Sequence, residues 1–391
     1  MGDKGLIFMA PRKIKIALVI GTRPEAIKLA PIVKVFEKDR ARIKAVVIAT
    51  AQQRHMQDQI LRLFRIKTDH DLDIMSHDQT LADIVSAAVT RIQSVLAKER
   101  PDLVLVQGDT TTSFVAALAA YFHKIPVGHV EAGLRTYNKY EPFPEEMNRR
   151  LTGVLADFHF APTKTAYDHL VREGINRKNI FITGNTVIDA LLMIVKKDLN
   201  FRKIKDKALA KKLSKVDFKK RRVILVTAHR RESFGKPFRN ICEAIRGLVG
   251  KNKDVEVIYP VHLNPNVQRP VNQILKGLDR VCLIPPVDYE IFTQLMNKCY
   301  LILTDSGGVQ EEAPSLGKPV LVMRNVTERP EAVQAGTVRL VGTDKRVILR
   351  EVQRLLDNKK TYQAMCRSHN PYGDGRAAKR IHSIILRRFS K

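Results

Sequence analysis

Short apolar runs separated by stretches of helical period recur along nearly the whole chain, and this alternation constrains the fold more than any other feature. The first series is "IKIALVI" (14–20), "IKAVVIA" (43–49), "DLVLVQ" (102–107), "IPVGHV" (125–130), "FHFAP" (158–162) and "IFITG" (180–184). The second is "VILVTA" (223–228), "VEVIYP" (255–260), "VCLIPP" (281–286), "YLILTD" (300–305), "KPVLVM" (318–323) and "TVRLVG" (337–342). Runs that are apolar throughout rather than at alternate positions belong to parallel strands covered on both faces. Two series predict an α/β protein of two doubly wound, Rossmann-like domains. A length of 391 residues fits two domains. The expected division is 1–190 and 191–373, with the C-terminal helix 374–391 returning to the first domain.

The net charge is +28, from 68 Lys+Arg against 40 Asp+Glu. A nucleic-acid partner would account for such a balance, but its distribution argues otherwise. Segment 196–222 holds 13 basic and three acidic residues, about a third of the excess. Aromatic residues are not interleaved with the basic runs as stacking platforms require, and Trp is absent. We therefore expect no specific nucleic-acid partner. No apolar run approaches the roughly 20 residues of a membrane span, and the first 20 residues lack the pattern of a signal peptide, which predicts a cytoplasmic protein. Cys242, Cys282, Cys299 and Cys366 have neither disulfide-framework nor zinc-site spacing, so no metal is expected.

In open α/β sheets ligands bind beyond the carboxyl ends of strands, so motifs at strand ends carry the functional signal. "DSGGVQEE" (305–312) places Ser306, Gly307 and Gly308 at a helix start, where bare N–H groups favour a phosphate; Glu311 and Glu312 lie further along and suit ligand hydroxyls. The alternative is that Asp305 or Ser306 is an ordinary N-cap. "GTRPEAIK" (21–28) is no dinucleotide fingerprint, so no NAD site is expected. Arg23 and Lys28 are read as serving a diphosphate, against the alternative of a Glu25–Lys28 surface pair. Asp109 ends the third run or caps the helix after it. Glu131 is costly to bury without a partner or a task. Glu145–Arg149 and Glu146–Arg150 are spaced as helical i,i+4 pairs, the first read as facing inward. His229 with Arg230 and Arg231, then His262 and Arg329, close the set at the ends of the second series.

The motifs "GTRPE" (21–25), "GDT" (108–110), "HVEAGLR" (129–135), "PEEMNR" (144–149), "TAHRRE" (227–232) and "DSGGVQEE" (305–312), in this order, resemble the non-hydrolysing UDP-N-acetylglucosamine 2-epimerases. The resemblance runs from about residue 14 to about 376. It implies a GT-B-like arrangement, two Rossmann-like domains facing across a cleft. It further implies conversion of UDP-GlcNAc to UDP-ManNAc without cofactor or metal, and a homodimer. By resemblance Ser306, Gly307, Gly308 and Arg23 hold the diphosphate and Glu312 the ribose. His229 lies at the leaving-group end, and uracil rests near "PPVDYEIF" (285–292), with Phe292 as packing surface. Lys28, Asp109, Glu131, Glu145 and Arg149 line the sugar side. One departure is "TAQQRHM" (50–56), where Gln53 and His55 replace family residues beside a position at which some members bind an activating second substrate molecule. C2 of the sugar has no adjacent carbonyl, so elimination of UDP as the C2 proton leaves is the route expected, with Asp109, Glu131 and Glu145 as acid/base cluster.

Overall fold

A computed structural model of the chain describes residues 12–50, 54–75 and 79–389, with the side chains of Arg54 and His55 outside the description. Gln53 and the side chain of His55 therefore lie outside the described residues. The chain forms two compact units, Met1–Ala190 with Gly375–Lys391, and Leu191–Asp374. The basic segment 196–222 lies within the second unit, where Lys212 Nζ donates to Leu283 O at 2.9 Å.

The first unit is built on β1 (Ile14–Ile20), β2 (Ile43–Ala49), β3 (His70–Asp71), β4 (Leu103–Gln107), β5 (Val127–Val130), β6 (Phe158–Ala161) and β7 (Ile180–Ile182). Their order is β3-β2-β1-β4-β5-β6-β7, and every pair is parallel. β1 is buried on both faces, Ile16, Ala17, Leu18 and Ile20 being fully inaccessible, as expected of a central parallel strand. β3 is absent from the apolar series because it is only two residues of polar sequence, "HD", added at the edge beside Ile48 and Ala49.

The second unit carries β8 (Arg222–Thr227), β9 (Val255–Pro260), β10 (Val281–Ile284), β11 (Leu301–Thr304), β12 (Val320–Val322) and β13 (Val338–Leu340). They are ordered β10-β9-β8-β11-β12-β13, again all parallel. In both sheets the winding reverses beside the first strand, between β1 and β4 and between β8 and β11. The loops leaving those four strands therefore open the ligand crevice of each sheet.

The C-terminal helix Ala377–Phe389 is part of the first unit. Buried Asp189 accepts from the N–H groups of Ala377 and Ala378 at 3.1 and 3.0 Å, capping a helix nearly two hundred residues away. His382 Nε2 meets Asp39 Oδ2 at 2.7 Å, and Ile381, Ile384 and Ile385 form the buried face. Among the described residues no helix is long and apolar enough to cross a membrane, and no group of three or more His, Cys, Asp or Glu is placed to hold a metal.

Candidate active site

In the first unit the loops after β1 and β4 are tied together by Glu25. Its carboxylate accepts from the Gly21 and Thr22 N–H groups at 3.0 and 2.6 Å, and from the Thr110 and Ser113 hydroxyls at 2.7 and 2.8 Å. The surface pair with Lys28 is thus corrected: Glu25 is fully buried. Burial pushes its carboxyl up, against the four donors that pull it down. Nor does Asp109 cap the helix Thr111–Phe122; Thr110 does, its Oγ1 accepting from Ser113 N at 3.0 Å.

Gly108 turns the chain out of β4 with φ +71, and β5 ends just before Glu131. Glu131 is 7% exposed. Lys28 Nζ lies 2.7 and 2.6 Å from its two carboxylate oxygens, and Gln107 Nε2 and Asn185 Nδ2 donate to one oxygen each. Lys28 is thereby placed on Glu131.

Asp109 meets Arg149, whose other nitrogen stands 3.4 Å from Glu146 Oε2. The expected i,i+4 pairing is corrected here too. Glu146 turns inward, fully buried, and accepts from Thr136 N and Tyr137 N at 3.1 Å each. The buried carboxylate is taken up by these two backbone donors and by Arg149, so Glu146 does not serve Arg150 at the surface. Glu145 opens the helix Glu145–Leu155 half-buried, and its Oε2 has no hydrogen-bond partner among the described residues.

His129, beneath this cluster, is buried in the core as a neutral ring, Nε2–H donating to Gly108 O at 2.7 Å. Burial drives its pKa down to about 3 and that of His159 to about 4. The unfolded chain takes up protons near pH 6.5 that the folded one refuses. Stability of the first unit therefore falls as pH drops from about 6.5 toward about 4, by ~1.4 kcal/mol per pH unit per histidine. Between pH 7 and pH 5 we expect the two to remove about 4 kcal/mol together, read by urea unfolding. Equal stability at both values would contradict it.

In the second unit Asp305, fully buried after β11, accepts from His229 N and Arg230 N at 2.6 and 2.7 Å. This carboxylate holds the loop after β8 rather than capping a helix. Ser306 occupies the N-cap of Gly307–Glu312 without a side-chain bond. The His229 ring lies 3.4 Å from Asp305 and stacks on exposed His262 at 5.4 Å between centroids. Burial, with His262 and Arg230 nearby, pushes the His229 pKa down, against the pull of Asp305. The Arg230 guanidinium comes beside Gly307, where an added Cβ would stand 4.0 Å from Nη2, and its buried Nε has no partner among the described residues. Glu312 accepts from the Tyr289 hydroxyl at 2.8 Å, whereas Arg329 pairs with Glu311. Phe292 is half-buried on the helix Tyr289–Lys298. Arg23 begins the helix Arg23–Lys38, half-buried, in the first unit.

A sequence model described as UDP-N-acetylglucosamine 2-epimerase matches residues 36–386. The chain belongs to the UDP-N-acetylglucosamine 2-epimerase family. The UDP-N-acetylglucosamine 2-epimerase of Escherichia coli K12 is 55% identical over 368 residues, covering 94% of this chain and 97% of that protein. A crystal structure of the Neisseria meningitidis UDP-GlcNAc 2-epimerase bound to UDP-GlcNAc superposes with a TM-score of 0.83 at 47% identity, covering 96% and 100% of the two chains. The Methanocaldococcus jannaschii enzyme in complex with UDP-GlcNAc and UDP gives 0.74 at 36% identity, over 96% and 100%. The two parallel sheets are those of the epimerase structures.

Within this epimerase frame, the charged residues at strand ends were legible, but several of their partners were not. Gln107 and Asn185, both buried, are uncharged and distant in sequence from Glu131. Tyr289 stands within the segment expected near uracil, but nothing marked its hydroxyl for Glu312. A search for buried amides at strand ends would have found Gln107, the last residue of β4.

Proposed function

We propose that this chain interconverts UDP-GlcNAc and UDP-ManNAc at C2 by eliminating UDP and adding it back. In the forward step a carboxylate removes the C2 proton, and the C–H electron pair forms the C1–C2 double bond. The C1–O bond breaks, and its pair leaves with the β-phosphate of UDP, giving 2-acetamidoglucal. UDP oxygen then returns to C1 as a proton is delivered to C2 on the opposite face. Asp109, Glu131 and Glu145 form the acid/base set, with Lys28 and Arg149 beside them. The route needs no redox cofactor.

The reading assigns the nucleotide to the second unit. Arg230 and the N–H groups of Ser306, Gly307 and Gly308 take the diphosphate with Arg23, and His229 stands at the leaving oxygen. Glu312 accepts from the ribose hydroxyls, while His262, Phe292 and Arg329 border the ligand. The single observation that carries the reading is the gathering of Asp109 and Glu131 at the ends of β4 and β5, on the reversal side of the sheet, each held by a cation.

Hydrogen bonds to charged groups contribute about 1.5–3 kcal/mol, so Arg230→Ala weakens UDP binding roughly 10- to 100-fold. Calorimetric titration with UDP checks this; an unchanged Kd contradicts it. Incubation of the purified chain with UDP-GlcNAc alone tests the function. UDP-ManNAc is the expected product, with traces of UDP and 2-acetamidoglucal. Free ManNAc with UDP would indicate a hydrolysing enzyme, and UDP release only with an acceptor sugar a glycosyltransferase. On the strength of the family resemblance we assign the working form as a cytoplasmic homodimer, to be tested by sedimentation at twice the chain mass.

A further inference from the structure

Glu131 adopts φ +65, the left-handed region that disfavours a residue bearing a side chain. Such a conformation persists where its surroundings over-determine it. Lys28, Gln107 and Asn185 all donate to its carboxylate. Lys28 bridges both oxygens from the helix Arg23–Lys38. Asn185 is oriented by a second bond: its Oδ1 accepts from Val187 N at 3.1 Å, at the start of the helix Thr186–Val195, which leaves Nδ2 to donate to Glu131 Oε1 at 2.8 Å. Gln107, 2% exposed, donates through Nε2 to the other oxygen. Lys28 and His129 on β5, a neutral buried ring, are titratable neighbours of Glu131, while Asp109, one residue beyond Gly108, is engaged by Arg149.

A carboxylic acid needs an acceptor for its proton, and Lys, together with an amide turned this way, offers none. We infer that Asn185, assisted by Gln107, is a positioning residue that keeps Glu131 ionised and aimed, so that Glu131 meets the substrate as a proton acceptor. This rests on the assignment of Glu131 to the acid/base set.

Asn185→Asp tests it. The variant keeps the size of the side chain and the acceptor for Val187 N, but sets a second carboxylate against Glu131 in place of a donor. Like charges at that separation favour sharing a proton. The acid limb of the kcat/KM profile is expected to move up by about one pH unit or more, with activity at pH 7 falling about tenfold and recovering toward alkaline pH. Gln107→Glu is expected to shift the same limb in the same direction. UDP affinity and the thermal midpoint, measured alongside, report on folding. An Asn185→Asp profile that matches the wild type, or is lowered equally at every pH, overturns the inference. A wild-type chain inactive on UDP-GlcNAc overturns both this inference and the acid/base reading, whereas an active wild type with an unshifted variant overturns this inference alone.

Discussion

Glu131→Gln lowers kcat at least about a hundredfold, the scale of losing a positioned proton-transfer group. The amide is nearly isosteric, so the loss reports on charge and proton acceptance rather than on shape. It also brings an NH2 group among the donors Lys28, Gln107 and Asn185. At a carboxylate site whose side chain is 4% exposed, a mismatched donor costs about 1–3 kcal/mol of stability. UDP binding, assigned to the other unit, stays at the wild-type level. Steady-state kinetics at saturating substrate, with UDP calorimetry and a thermal melt on the same preparation, separate these effects. A variant within a few-fold of wild-type kcat would make Glu131 a purely structural anion.

Gly133→Ala carries the largest expected cost in stability. Gly133 has φ +91, and a Cβ built there stands 2.2 Å from Ala166 O, 2.8 Å from its carbonyl carbon and 3.0 Å from a Leu170 methyl. The obstacle is backbone, part of the helix Lys164–Arg172 behind β6, and cannot rotate aside. Left-handed strain and overpacking each cost about 1–3 kcal/mol, so about 3 kcal/mol or more is expected. For a unit of about 200 residues that lowers Tm by roughly 6–12 °C. Calorimetry should show the loss in the transition of the first unit, while that of the second unit stays in place. A melt unchanged within 2 °C or so would contradict the close approach.

The sheets were legible because parallel strands buried on both faces spell themselves as apolar runs: each of the twelve runs falls on a strand, and "IKIALVI" and "VEVIYP" coincide with β1 and β9 residue for residue. β3 escaped because two polar edge residues carry no pattern. At the site, charge at strand ends exposed Asp109, Glu131 and His229, since a charge at such a place needs a partner or a task. Pairing was less legible. Helical spacing assigned Arg149 to Glu145, but tertiary geometry gives Arg149 to Asp109 and turns Glu146 toward the backbone of residues 136 and 137. Spacing reports what one helix offers to itself and is silent on what a neighbouring loop requires. The same holds for Asp305, whose two bonds reach back to residues 229 and 230.

Proton NMR of UDP-GlcNAc with the purified protein in D2O, without NAD or added metal, tests the central claim most directly. The account predicts UDP-ManNAc signals with deuterium entering C2, because the C2 proton leaves to an exchanging carboxylate and a solvent-derived one returns. UDP-ManNAc formed with C2 fully protonated would contradict elimination and re-addition, and unchanged substrate under conditions where UDP binds would contradict the epimerase itself.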